Sequence, residues 1–146
     1  MSVTAAHGFE ASGVAAGIRR SGPDLALVRS TVPAVGAALW TANRVQAAPV
    51  VVSRRHLAAA EPQAVVVNAG VANAATGARG EADAEATAAS AAGRLGLAPE
   101  QVLVLSTGVI GVPLPLERVV AGVEAAAALL SPDGGEAAAA AILTTD

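Results

Sequence analysis

The residues in this chain best suited to chemistry are Ser106-Thr107-Gly108, which follow the apolar run Val102 to Leu105. A β-branched, leucine-rich run of this kind suits a strand buried on both faces. The turn expected after it would present hydroxyls and backbone N–H groups at the strand's carboxyl end, where α/β proteins bind their ligands. Two hydroxyls and a glycine there could hold an anion or stabilise a developing oxyanion. An ordinary glycine-containing connection between strand and helix reads the same way, so the tripeptide alone decides nothing. A second loop, Asn68 to Gly77, also leaves an apolar strand and leads to a helix start. Its glycines permit positive φ, and Asn68 and Asn73 can bond either backbone or ligand. The glycine spacing is not that of a dinucleotide fingerprint and no lysine is present for a phosphate loop, so the asparagines read first as loop-shaping residues.

The remaining combinations are weaker. His7 and His56 are the only histidines. They lie far apart and lack neighbouring carboxylates at ligand spacing, so no metal site is expected. His56, beside Arg54 and Arg55, is expected to be solvated, as are the pairs Arg19-Arg20 and Arg54-Arg55. A triad of Ser106, His56 and Asp83 can be assembled on paper, but it lacks a nucleophile elbow and is rejected.

The elements that must position these groups follow from pattern. The chain has 146 residues, 53% hydrophobic and 14% charged, enough to bury one core, and is read as a single domain over 1–146. With one Trp and one Phe, that core must come from Val, Leu, Ile and much Ala. A net charge of −3, with nine scattered arginines and no lysine, excludes the basic stripe of a nucleic-acid binder. There is no cysteine for disulfide or thiolate chemistry. No signal-like opening or long apolar run suggests a membrane, and the expected compartment is the cytoplasm.

Strands are expected at Leu25 to Val28, Val35 to Trp40, Pro49 to Val52, Ala64 to Val67 and Val102 to Leu105. A short helix or turn is expected from Arg54 to Ala60. Glu81 to Leu95 places Ala84, Thr87, Ala88, Ala91 and Leu95 on one helical face, with Glu81, Asp83 and Glu85 at its positive end and Gly96 as its stop. Leu116, Val119, Val120, Val123, Ala127 and Leu130 mark a second amphipathic helix, and Glu136 to Leu143 a third. Strand and helix alternate from Ala64 onward after a β-rich first third. This predicts an α/β fold with a mixed sheet and packed helices.

Several colinear segments carry a more specific signal: Gly8-Phe9 through Gly13-Val14-Ala15-Ala16-Gly17-Ile18, Asp24 to Val28, Thr41-Ala42-Asn43-Arg44-Val45-Gln46-Ala47-Ala48-Pro49-Val50, the asparagine-bearing loop, Ser106 to Gly111, and Ile142-Leu143-Thr144-Thr145-Asp146. This ordered set resembles the ornithine acetyltransferase family, also called glutamate N-acetyltransferase, of the cyclic arginine pathway. The resemblance implies one half of a two-chain fold made by self-cleavage of a precursor into α and β chains, with α2β2 assembly. It also implies acetyl transfer from N-acetylornithine to glutamate through an acetyl-threonine formed at the N-terminus of the β chain. By the same resemblance, Thr107 and Gly108 stabilise the oxyanion and Thr144 contacts substrate. No cofactor is implied, and acetyl-CoA is a co-substrate if the protein is bifunctional. The family continues beyond Thr-Thr-Asp, through a lysine in a glycine-rich segment, to the cleavage point. Neither Thr144 nor Thr145 is therefore the expected nucleophile. Arg19 stands where the family often has lysine, and Trp40 where it often has phenylalanine. The alternatives from other classes are an α/β module that binds an anion or small ligand without chemistry, and a purely structural subunit.

Overall fold

A computed structural model describes residues 2–144. Its framework is a four-stranded sheet, β1 (Phe9–Val14), β2 (Leu25–Ser30), β3 (Ala64–Val71) and β4 (Val102–Val109), in that spatial order. The β1–β2 and β2–β3 pairs are antiparallel and β3–β4 is parallel, so the sheet is mixed as the pattern predicts. The helices are α1 (Ala48–Ala59), α2 (Gly77–Leu95), α3 (Leu116–Ala128) and α4 (Gly135–Ile142). Helix α2 is the crossover between the parallel pair, which no hairpin could join.

Side chains alternate across each strand, and both faces of the sheet are used. On one face Leu25, Leu27, Val66, Val102 and Val104 pack against Val52 of α1, the alanines of α2 and Val119 and Val123 of α3. On the other, Ala11 and Ala26 pack with Ala138 and Ala141 of α4. Small side chains let these layers approach closely. A Cβ on Gly13 would lie 2.0 Å from the Ala137 carbonyl oxygen, so α4 rests directly on the β1 backbone.

Three expectations are corrected and one strand is added. Pro49 to Val52 is the first turn of α1 rather than a strand: Pro49 fits where helix N–H groups have no partner, and the helix continues through His56 with Val52, Ser53 and His56 facing inward. Val35 to Trp40 finds no strand partner and runs as an irregular, largely exposed segment. Strand β1 adds to the expected strands: Phe-Glu-Ala-Ser alternates, but the run holds one β-branched residue and a glycine, a weak strand signal. Helix α2 begins at Gly77, so Glu81, Asp83 and Glu85 lie past its first turn. Its stop is as expected, with Gly96 left-handed at φ 69°.

Candidate active site

Strand β4 runs longer than its apolar stretch. Ser106, Thr107 and Gly108 are not a turn but lie within its second half, in register with Asn68, Ala69 and Gly70 of β3. The turn comes after Val109, where Gly111 donates to the Ala74 carbonyl at 2.9 Å. The candidate tripeptide is thus held on the lattice of the sheet.

Strand β4 is an edge, and α1 closes only its first half. The Ser53 hydroxyl donates to the Val104 carbonyl at 2.7 Å and accepts from the Val104 N–H at 2.9 Å. One turn along, His56 Nδ1 donates to the Val102 carbonyl at 2.8 Å. Two side chains at helical spacing thereby replace a fifth strand along this part of the edge. Backbone groups alternate sides along a strand, so the same alternation turns those of Ser106 and Gly108 outward too. No backbone or side-chain group from α1 or a loop reaches their N–H groups among the described residues. The inward N–H of Thr107 belongs to the ladder with β3, and its hydroxyl, on the face that α1, α2 and α3 do not cover, has no hydrogen-bond partner among the described residues.

The two strand ends are closely matched. Gly108 has φ 130° and Gly70 φ 112°, conformations open to glycine, and a Cβ on Gly108 would lie 2.3 Å from the Gly70 carbonyl carbon. Ser106 Oγ donates to Asn68 Oδ1 at 2.5 Å, and Asn68 Nδ2 donates to the Val71 carbonyl at 2.9 Å, so buried Asn68 ties the two strand ends together. Asn73 likewise shapes its loop, donating to the Gly80 carbonyl at 2.8 Å while Thr76 donates to its Oδ1 at 2.7 Å.

Thr144, far away in sequence, comes back toward these strand ends. Leu143, just before it, accepts from Arg19 Nη1 at 2.8 Å, and Arg19 Cγ lies against Gly70. Thr145 falls outside the described residues. Beside the open edge, a cleft of about 330 Å³ is lined by Leu39, Trp40, Val50, Ser53, Leu105 and Ser106. Apolar surface surrounds the corner: Leu105 is 48% exposed, Val109 58% and Ile110 68%.

His56 is corrected: it is only 3% exposed. Its Nε2 lies 3.0 Å from Glu85 Oε2, and Glu85 also pairs with Arg55. Burial works against ionised Glu85, but the hydrogen bonds and charges of Arg55 and His56 outweigh it and hold the carboxyl below its ordinary pKa. His56 does not approach Ser106, so the rejected triad has no geometric basis. Arg54 stacks over Trp40, 5.5 Å from the ring centroid.

The model of the ArgJ family matches residues 10–146. The chain belongs to the ArgJ family. The arginine biosynthesis bifunctional protein ArgJ of Streptomyces coelicolor is 56% identical over 148 residues, covering 100% of this chain and 39% of that protein. The namesake from Symbiobacterium thermophilum is 54% identical, covering 99% of this chain and 37% of its own length. This chain therefore spans about two fifths of these ArgJ relatives. Two solved structures share its fold. The arginine biosynthesis bifunctional protein ArgJ of Bacillus halodurans has a TM-score of 0.92 at 41% identity, covering 100% of this chain and 77% of that one. Ornithine acetyltransferase from Mycobacterium tuberculosis, solved in complex with ornithine, has a TM-score of 0.95 at 44% identity, covering 99% and 80%. The mixed sheet and four helices are thus an ArgJ fold. No described helix is long and apolar enough to cross a membrane.

Proposed function

We propose that this chain is the α-chain portion of an acetyltransferase that moves the acetyl group of N2-acetyl-L-ornithine to L-glutamate, with a β chain of the same precursor supplying the nucleophilic threonine. The observation that carries this reading is the open end of β4, where the outward Gly108 N–H and the Thr107 hydroxyl flank a corner that has no partner among the described residues. In the proposed step, the threonine hydroxyl attacks the acetyl carbonyl and gives its proton to the adjacent terminal amine, whose ordinary pKa of about 7.7 to 8.0 suits a base. The carbonyl oxygen becomes an oxyanion facing Thr107 and Gly108. Collapse breaks the C–N bond, and the proton leaves with the amine of ornithine. The amine of glutamate then attacks the acetyl-threonine ester and regenerates the hydroxyl. Each preorganised donor at such an oxyanion contributes on the order of 2.7–4 kcal/mol. Thr144, returning beside the same strand ends, contacts the amino-acid portion of the substrate.

The uncovered apolar surface at Leu105, Val109 and Ile110 supports a second polypeptide here, because a patch beside a polar corner marks an interaction site. We place the β chain on it, in an α2β2 assembly working in the cytoplasm. The bifunctional names of the relatives support a second use of the same acetyl-threonine, loaded from acetyl-CoA to make N-acetylglutamate. No bound cofactor enters either scheme.

The test is an assay of the complete gene product without coenzyme A. Acetyl transfer from N-acetylornithine to glutamate is expected, together with two polypeptides by intact mass. A protein that stays uncleaved and transfers no acetyl group would overturn the reading in favour of simple ligand binding.

A further inference from the structure

The segment 15–19 leaves β1 and crosses the carboxyl ends of the strands. Fully buried Asp24 fixes it, accepting from the backbone N–H of Ala16 at 2.6 Å and of Arg19 at 2.7 Å. From α3, Arg118 Nη1 donates to the Gly17 carbonyl at 2.6 Å. With its backbone held, the Arg19 side chain lies over Gly70, where a Cβ would come within 2.8 Å of Arg19 Cγ. Gly70 is the register partner of Gly108. Past Gly70, the guanidinium donates to the Leu143 carbonyl at 2.8 Å. No carboxylate pairs with Arg19 among the described residues.

That carbonyl belongs to the peptide bond leading into Thr144. After α4 the chain turns extended at Leu143, with φ −63° and ψ 131°, and a small torsional change there would swing Thr144. The geometry points to Arg19 as a positioning residue that, by bridging Gly70 to the Leu143 carbonyl, sets the reach of Thr144 from the Thr107–Gly108 corner and so tunes substrate binding. This rests on the proposed roles of those three residues. Misplacing a binding group weakens substrate capture without removing the groups that meet the oxyanion. Arg19 therefore acts on KM more than on kcat.

The experiment measures kcat, KM for N-acetylornithine and thermal stability in the complete, processed gene product. Arg19→Met removes the donor, and KM should rise about fivefold, the scale of one net hydrogen bond, with kcat within about twofold. Arg19→Lys keeps a donor on a stem of similar length and should return KM to within about twofold of the parent. In a Thr144→Ala background, Arg19→Met should raise KM no further, because the two act through one contact. An unchanged KM in Arg19→Met, a full additional rise in the double variant, or equal losses in kcat and stability that lysine fails to rescue would each overturn the inference while leaving the acetyl-transfer reading intact. A parent protein that transfers no acetyl group would overturn both.

Discussion

The two halves of the β4 edge are built from the same backbone and treated in opposite ways. From Val102 to Val104, α1 supplies Ser53 and His56 to meet every outward group that needs a partner. From Ser106 to Gly108 the edge has no such cover among the described residues. An exposed strand edge invites pairing with other chains, and proteins normally blunt it. Closing one half and leaving the other open separates an architectural half from the half that the proposed function assigns to a partner or substrate.

The strongest way to break this contrast is at its open end. In Gly108→Val the new Cβ meets the Gly70 carbonyl in a backbone conformation that valine disfavours, so the N–H must move. Acetyl transfer by the complete gene product should fall about 10²- to 10³-fold in kcat, the cost of one oxyanion donor. A Gly108→Val enzyme with parental kcat would remove the site from this edge.

Thr107 sharpens the same point. Its N–H is engaged with β3, so only the hydroxyl can serve an oxyanion. Thr107→Val keeps the shape and loses the hydroxyl, and kcat should drop about 10²-fold. Thr107→Ser should keep most of the activity. Equal activity of the Val and Ser variants in a steady-state assay would contradict a hydroxyl role.

The closed half should respond in stability instead. Ser53→Ala strands the buried N–H and carbonyl of Val104, and the unfolding free energy from urea titration should fall by about 1–3 kcal/mol. With the site undisturbed, kcat should stay within a few-fold of the parent. A kcat loss as large as that of Thr107→Val would show that the two halves are not separate.

This division was only half legible in the sequence. The apolar runs at Leu25, Ala64 and Val102, the 3.6-residue spacing of the later helices and the Ser-Thr-Gly sequence were visible because periodicity and glycine report local structure directly. The helix at Pro49 was hidden because Val50-Val51-Val52 carries strand propensity, which the Pro49 start and inward-facing Ser53 and His56 override. Strand β1 gives a weak signal because its packing under α4 depends on small residues such as Ala11 and Gly13, which carry little strand propensity even where Phe-Glu-Ala-Ser alternates. The role of Ser53 gave no signal, since a serine that bonds an edge strand looks in sequence like any helix-surface serine. His56 beside two arginines read as solvated because burial came from β4, 46 residues away in sequence. The position of Gly108 at the end of a strand, rather than in a turn, followed from pairing with Gly70, a long-range register that a local apolar run does not encode.

The smallest effect tests how firmly α1 is clamped over the closed half. Glu85 on α2 receives His56, itself bonded to β4, and Arg55, so one carboxylate links α1, α2 and the strand edge. The other charge facing this group is Glu81, one turn back on α2, which favours charged Arg55. Because the Glu85 pKa is lowered in the folded protein, the unfolded chain takes up its proton first as the solution is acidified. The resulting stabilisation is fully present above the ordinary carboxyl value of 4.5 and is lost as pH falls through the lowered folded value. Solvent reaches this carboxylate, whose side chain is 37% exposed, and screens the charges, so the slope should be shallow. Urea midpoints between about pH 6 and pH 3 should decline more steeply in the parent than in Glu85→Gln, which keeps the shape and cannot titrate. Parallel declines would mean that the hydrogen bonds of Ser53 and His56 to the strand, and not this ion cluster, hold α1 against the edge.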